Sequence, residues 1–412
     1  MDSEYTGQDR ISLSILWQLP LACFVLAGLT GFLYRLGLTG VDLWGLNLDN
    51  IRHAHSHLMF FSWAVPLPMY FIIQKINKET SINEPNMLMT RMAVLSLFLG
   101  IASYPFFFFY GYRPVPIAGM ELPLSVIFSG LVMLCWYGFI AGYWKERKYI
   151  SEELSTLFYD GALVMLFLCS LGAWGVAAVQ FSGVVNPLWG KALTHFFLAT
   201  FTEGWVVLVL LGLIYERVDI NTEAFRISPA LLIGLILLGA PLTFPYGISE
   251  GLLSPRLLIS ARVGGVLAAA GLLLNLYVLY RHKRSKIAWY WKTVLYLLAI
   301  KALAQLVASV LPSEFWMSAH GLRIFYLHLL LLGGFSIGLF SGLLFSKKAE
   351  RGLLFVVVSI ILVLVSLVWL TPFWPQSFFA SWLFYATAAI AVLPVLAVSY
   401  YWYEIKKRLK NP

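Results

Sequence analysis

The chain has 412 residues, 60% of them hydrophobic and only 12% charged, with a mean hydropathy of +0.80 and a net charge of +9. So little polar surface excludes a soluble domain of this size. Most of the basic residues lie in short connectors between apolar runs, which ties most of the charge to membrane topology and anionic lipid and does not suggest nucleic-acid binding.

The apolar residues come in blocks of about 20 or more, the length at which a helix crosses a bilayer. Twelve spans are predicted, over 13–36, 53–74, 88–111, 118–143, 153–181, 192–215, 226–246, 256–279, 289–311, 317–345, 352–371 and 377–402. The alternation of a membrane barrel is absent, so the spans are expected to be α-helical. Short connectors predict an all-α polytopic membrane protein, one transmembrane helical domain over 1–412 with no inserted soluble domain. Lys75, Lys78, "KERK" after the fourth span, "RHKRSK" after the eighth, "SKKAER" after the tenth and the terminal "KKRLK" fall on one side, with 21 of the 29 Lys and Arg. The positive-inside rule then places the N- and C-termini in the cytoplasm, with the chain in the cell's inner membrane. The other side carries the aromatic stretches "YPFFFFYGY" and "TPFWPQSFF". The acidic "MDSEYTGQDR" is unlike the n-region of a cleavable signal peptide. Cys23, Cys135 and Cys169 are far apart within spans and read as small core residues.

The second span opens with "NIRHAHSHLMFFSWAVPLPMY", which sets His53, His55 and His57 at alternate positions. On a helix His53 and His57 share a face, whereas His55 points about 160° away. The three rings therefore cannot converge on one ion. The sixth span contains "THFFLATFTEGWVV", with His195 eight residues before Glu203. The ninth holds Lys301 and Gln305, and the tenth reads "SAHGLRIFYLHLLLLGGFSIGLF", with His320, Arg323 and His328. Polar groups inside a bilayer are rare and usually functional. Counting from the basic edge, His55, His195 and His328 each lie about 20 residues up their spans, near the outer leaflet. Three imidazoles at one depth in three helices are candidate walls of a metal or haem site.

At these residues the chain resembles subunit I of the haem-copper oxidases, the family of cytochrome oxidases and nitric oxide reductases. His55, Leu58, Met59 and Pro66 have the spacing of that family's second helix, and Arg52 is similar to the Arg-x-x-His start of the reductases. The resemblance implies a subunit I-like bundle with both termini inside, and a haem, b-type, with His55 as an axial ligand. For the tenth span it offers two registers. One makes His320 the high-spin haem ligand and puts Leu322 in the low-spin position. The other makes His328 the low-spin ligand, with Tyr326 in the high-spin position. It is favoured because His328 matches His55 in depth, while His320 lies about 12 Å further out. Either register loses one haem ligand. The sixth span is similar to the reductases more loosely, with His195 as the implied ligand of a second metal, Cu or Fe. The His-His pair of the family's copper site is missing from "APLTFPYGISEG". The chain thus looks like a divergent member that keeps a bis-histidine haem and has a degenerate second centre.

Each residue also has a plainer role open to it. His53 and His57 read as interfacial hydrogen-bonders, and His320 is either a ligand or an outer-surface residue. Glu203 is a proton relay, a metal-site acid, or a buried partner of another helix. Lys301 is a proton-path residue or half of an ion pair. Arg323, with Arg256 and Arg262, suits haem propionates or anchors outer loops. Three classes of function follow, ranked in this order. They are a redox haem protein reducing O2 or NO with Glu203 and Lys301 as catalytic candidates, a haem-based sensor or electron-transfer subunit, and a metal-ion transporter. The partners are the lipid bilayer and, since no CxxCH motif is present, a cytochrome c-type or other electron donor on a separate subunit.

Overall fold

In the computed structural model the described residues are 7–80, 87–183, 186–218, 227–283, 287–312, 319–344 and 349–410, with the side chains of 7–11, 181, 250, 282–283, 376 and 408–410 excepted. The expected span ends at 226, 317–318 and 345, and the basic stretches 284–286 and 346–348, lie outside them.

The described residues form twelve apolar helices: α1 (Gly7–Gly37), α2 (Leu48–Thr80), α3 (Met87–Tyr110), α4 (Leu124–Tyr149), α5 (Leu154–Phe181), α6 (Pro187–Val218), α7 (Pro229–Leu242), α8 (Pro255–Lys283), α9 (Trp289–Val310), α10 (His320–Gly342), α11 (Glu350–Val368) and α12 (Trp382–Lys407). Eleven are long and apolar enough to cross a membrane, so the chain is a helical, multi-pass membrane protein. The exception is α7. Hydropathy predicts the seventh span over 226–246, but the helix covers 14 residues and gives way to a tight turn at Phe244–Gly247. Pro241 and Pro245, which cannot donate to a helix, bring it to an end. A second difference precedes α4. Residues 118–123, expected inside the fourth span, belong largely to a two-stranded hairpin, Val115–Ile117 with Met120–Leu122. Its two-residue loop puts Ala118 and Gly119 at positive φ, 50° and 81°, as tight hairpin turns require.

The chain divides into two compact units. The first holds α1–α4, the hairpin, α11 as far as Ser366, and α12; the second holds α5–α10 and the segment Leu367–Pro375. In the first, glycines let helices approach closely: Gly138 and Gly142 of α4 seat Met92 and Met89 of α3, and Gly100 of α3 receives Phe61 and Ser62 of α2. In the second, Gly239 of α7 meets the backbone of Gly264 and Ala268 in α8. Polar side chains there are paired across helices. Tyr215 donates to Asn275 Oδ1 at 2.9 Å, and Asn275 donates in turn to the Leu232 and Gly271 carbonyls.

Among the described residues, three helices are interrupted by π-helical turns, at Met59–Ala64 in α2, Thr200–Val206 in α6 and Leu329–Ser336 in α10. Each has a local cause. Pro66 lacks an N–H and its ring crowds the Ser62 carbonyl, so α2 loosens just upstream. In α6 the hydroxyls of Thr200 and Thr202 bond back to the Phe196 and Leu198 carbonyls, competing with the ladder. In α10 Ser336 donates to the carbonyl five residues back, Leu331, at 2.7 Å, beside Gly333 and Gly334.

Candidate functional site

The three π turns fall in the helices that carry His55, His195 and His328. Such turns are rare and concentrate at functional sites. His55 lies four residues before its turn, His195 five, and His328 one.

In the first unit, His55 Nδ1 meets the Ala27 carbonyl of α1 at 2.8 Å. A carbonyl only accepts, so Nδ1 carries the proton and the lone pair of the neutral ring sits on Nε2. Gly31 makes room for the ring, since a Cβ there would lie 3.0 Å from Cε1 and 3.1 Å from Nδ1. His53 and His57 face elsewhere. The His57 ring stacks on Phe107 with centroids 3.8 Å apart, and its Nε2 pairs with Tyr112 OH at 2.8 Å. His53 packs edge-on to Tyr112 at 4.7 Å. Burial pushes the Tyr112 phenol up to about 12, against a smaller downward pull from Arg52, so it stays a neutral partner for His57.

The second unit brings other candidates into contact. His328 Nδ1 meets the Ile324 carbonyl, one turn back in its own helix, at 2.8 Å, which selects the same tautomer as at His55. Glu203, within the α6 π turn, has both oxygens engaged. Oε2 is ion-paired to Lys301 Nζ of α9, and Oε1 accepts from Tyr326 OH of α10 at 2.8 Å. Lys301 also donates to Gln305 Oε1 at 2.7 Å. The Lys301 and Glu203 side chains are 1% and 6% exposed. The two candidate catalysts are thus each other's counter-ions.

His195 sits against the turn after α7. A Cβ on Gly247 would collide with its Nδ1, so only glycine leaves space for the ring where it stands. Among the described residues the cations Arg323 and Lys191 act on it. Arg323 Nη1 donates to the Gly247 carbonyl at 3.5 Å, and Lys191 donates to Ser249 Oγ at 3.4 Å. His320 is the exposed first residue of α10, while Arg256 is exposed and Arg262 half-buried.

The donor sets answer differently for the two expected groups. A haem iron needs an imidazole lone pair on a fixed ring, and His55 and His328 each fit by tautomer and backbone hydrogen bond. The described residues do not supply a donor set for a second metal. Among the described residues no three His, Cys, Asp or Glu side chains group to hold an ion. His195 has cations beside it, and both Glu203 oxygens already have partners.

The histidines, Glu203 and Lys301 are visible in the sequence as ionisable groups in apolar spans. Ala27 is not, because its contribution is a backbone carbonyl. Tyr326 and Gln305 carry a weaker signal, as neutral polar groups in the same spans. Replacing Tyr326 by Phe is expected to cost about 1–3 kcal/mol in an unfolding titration, because it strips one of two donors from a buried carboxylate. No family model matches the chain, and no curated protein matches it either.

Proposed function

We propose that the chain is an inner-membrane haem protein of the oxidase and reductase type, with both termini cytoplasmic, working in electron transfer. His55 and His328 are its haem ligands. The observation that supports this best is the common state of these two rings. Each has Nδ1–H fixed by a carbonyl 2.8 Å away, and each stands just before a π turn.

Haem would supply a one-electron couple, and His55 and His328 are the residues that would hold it. The protein's own part is to fix ring orientation through the Ala27 and Ile324 carbonyls and to raise ligand basicity through those same hydrogen bonds. In the second unit Glu203, Lys301 and Tyr326 hold a balanced buried charge. That arrangement favours electron transfer over the reduction of O2 or NO at a second metal, for which His195 is the one imidazole that the motifs supply.

The test is the optical spectrum of the purified protein, oxidised, reduced with dithionite, and reduced with carbon monoxide. A sharp reduced α band without a carbon monoxide shift is expected in the wild type. The band should be lost, or replaced by a carbon monoxide-sensitive one, in both His55→Ala and His328→Ala. No Soret band after expression with ample haem would overturn the proposal. A carbon monoxide shift in the wild type would restore the catalytic reading.

A further inference from the structure

The first unit carries a groove of about 560 Å³ between α1, α3 and α12, lined by Ser14, Gln18, Leu19, Phe98, Trp402 and Lys406. That volume lies within the range of small-ligand sites. The lining is ordered by depth. Ser14 lies two residues inside the membrane-length segment of α1, and Lys406 lies one residue from the end of that of α12. Gln18 and Trp402 are one helical turn deeper, about 6 Å. Phe98 is eleven residues into α3, about 16 Å from its start. The polar and cationic groups thus gather at the headgroup level, and the apolar walls of Leu19 and Phe98 continue inward.

Three further observations give the groove its chemistry. Lys406 is exposed, sits 4.2 Å from the centroid of the Trp402 ring, and among the described residues shares the lining with no acidic one. Gln18 Nε2 donates to Ser14 Oγ, which ties the amide to the lining of the groove. Trp402 Nε1, a pure donor, is buried without a hydrogen-bond partner, the state of a group awaiting an acceptor. The neighbouring Lys407 is exposed as well.

We propose that this groove is a binding site for one anionic phospholipid. Its phosphate lies by Lys406 and accepts from Trp402 Nε1 and Gln18, and an acyl chain runs along Leu19 and Phe98. A zwitterionic lipid brings its own cation to Lys406 and is disfavoured, while a quinone offers carbonyl acceptors without a charge for the lysine.

Native mass spectrometry of the full chain released from detergent tests this, with phosphatidylglycerol, phosphatidylcholine and a short-chain quinone titrated separately. At least tenfold tighter binding of one phosphatidylglycerol than of phosphatidylcholine is expected. The preference should vanish in Lys406→Glu, and affinity should fall several-fold in Trp402→Phe, which keeps the ring and loses the donor. Leu19→Trp, which fills the apolar end, should block binding in protein whose melting temperature is otherwise preserved. Equal affinity for the two lipids, an unaltered preference in Lys406→Glu, or saturable quinone binding that excludes phosphatidylglycerol would each overturn the assignment.

Discussion

Lys301→Met is expected to cost about 3–5 kcal/mol of stability, because it leaves the buried Glu203 carboxylate without its counter-ion. Methionine replaces the lysine stem with a chain of similar length, so packing changes little and the loss reports charge. The Tyr326 hydroxyl still donates to Oε1, but one neutral hydrogen bond does not offset a full charge in a site where the glutamate side chain is 6% exposed. The double variant Lys301→Met with Glu203→Gln removes both charges and should recover most of the loss. Unfolding in a reversible detergent system measures both. A single variant within about 1 kcal/mol of wild type would mean that Glu203 is not charged in the folded protein. The same pair bears on function, since Glu203→Gln that leaves the reduced haem spectrum unchanged is expected if its partner is Lys301 rather than a metal.

The second large effect belongs to the crossing of α7 and α8. A Cβ on Gly239 would collide with the Ala268 nitrogen and lie 2.7 Å from the Gly264 oxygen. Both are backbone atoms of a helix and cannot step aside as a side chain can. Gly239→Val should therefore cost about 3 kcal/mol or more by forcing the helices apart. Gly234, in the same helix, has nothing within 4 Å of its missing Cβ. Gly234→Ala should leave the melting temperature unchanged or slightly raised. If the two substitutions behave alike, close packing at Gly239 does not hold this crossing.

The spans were legible because lipid imposes length and apolarity on every crossing helix, and both are written along the chain. Where another constraint ruled, hydropathy misled. The run through "LTFPYGI" carries no charged residue to close the apolar stretch, which carried the seventh span past Leu242, although Pro245 and Gly247 marked the turn. In "PVPIAGMELP" the short Ala118–Gly119 loop is a hairpin signal that lies between runs greasy enough to merge with the fourth span. The site divides in the same manner. His55 and His328 stand out as ionisable residues in apolar spans, and the 100° step of a helix was enough to turn His55 away from His53 and His57. The pairing of Glu203 with Lys301 spans 98 positions of sequence, and no local pattern encodes it. The Ala27 carbonyl that orients His55 is a main-chain atom, which every residue type supplies.

The π turns bear on how such a chain tolerates insertion and deletion. Each holds roughly one residue more than an α-helix of the same rise would, so it offsets the phase of everything above it by about 100° relative to everything below. In α10 the histidine-bearing segment His320–His328 lies on one side of that offset and the packed segment Ile337–Gly342 on the other. Deleting one residue of Leu329–Ser336 resets the helix to a single phase. The lower segment then keeps its packing and His328 swings about a quarter of a circle, or the ring stays and the lower half turns its core face away. Single-residue deletions inside the three π turns should therefore alter the histidine environments while the same deletions in exposed connectors do not. The rotation of each imidazole is thus encoded by residue count below it as much as by residue type.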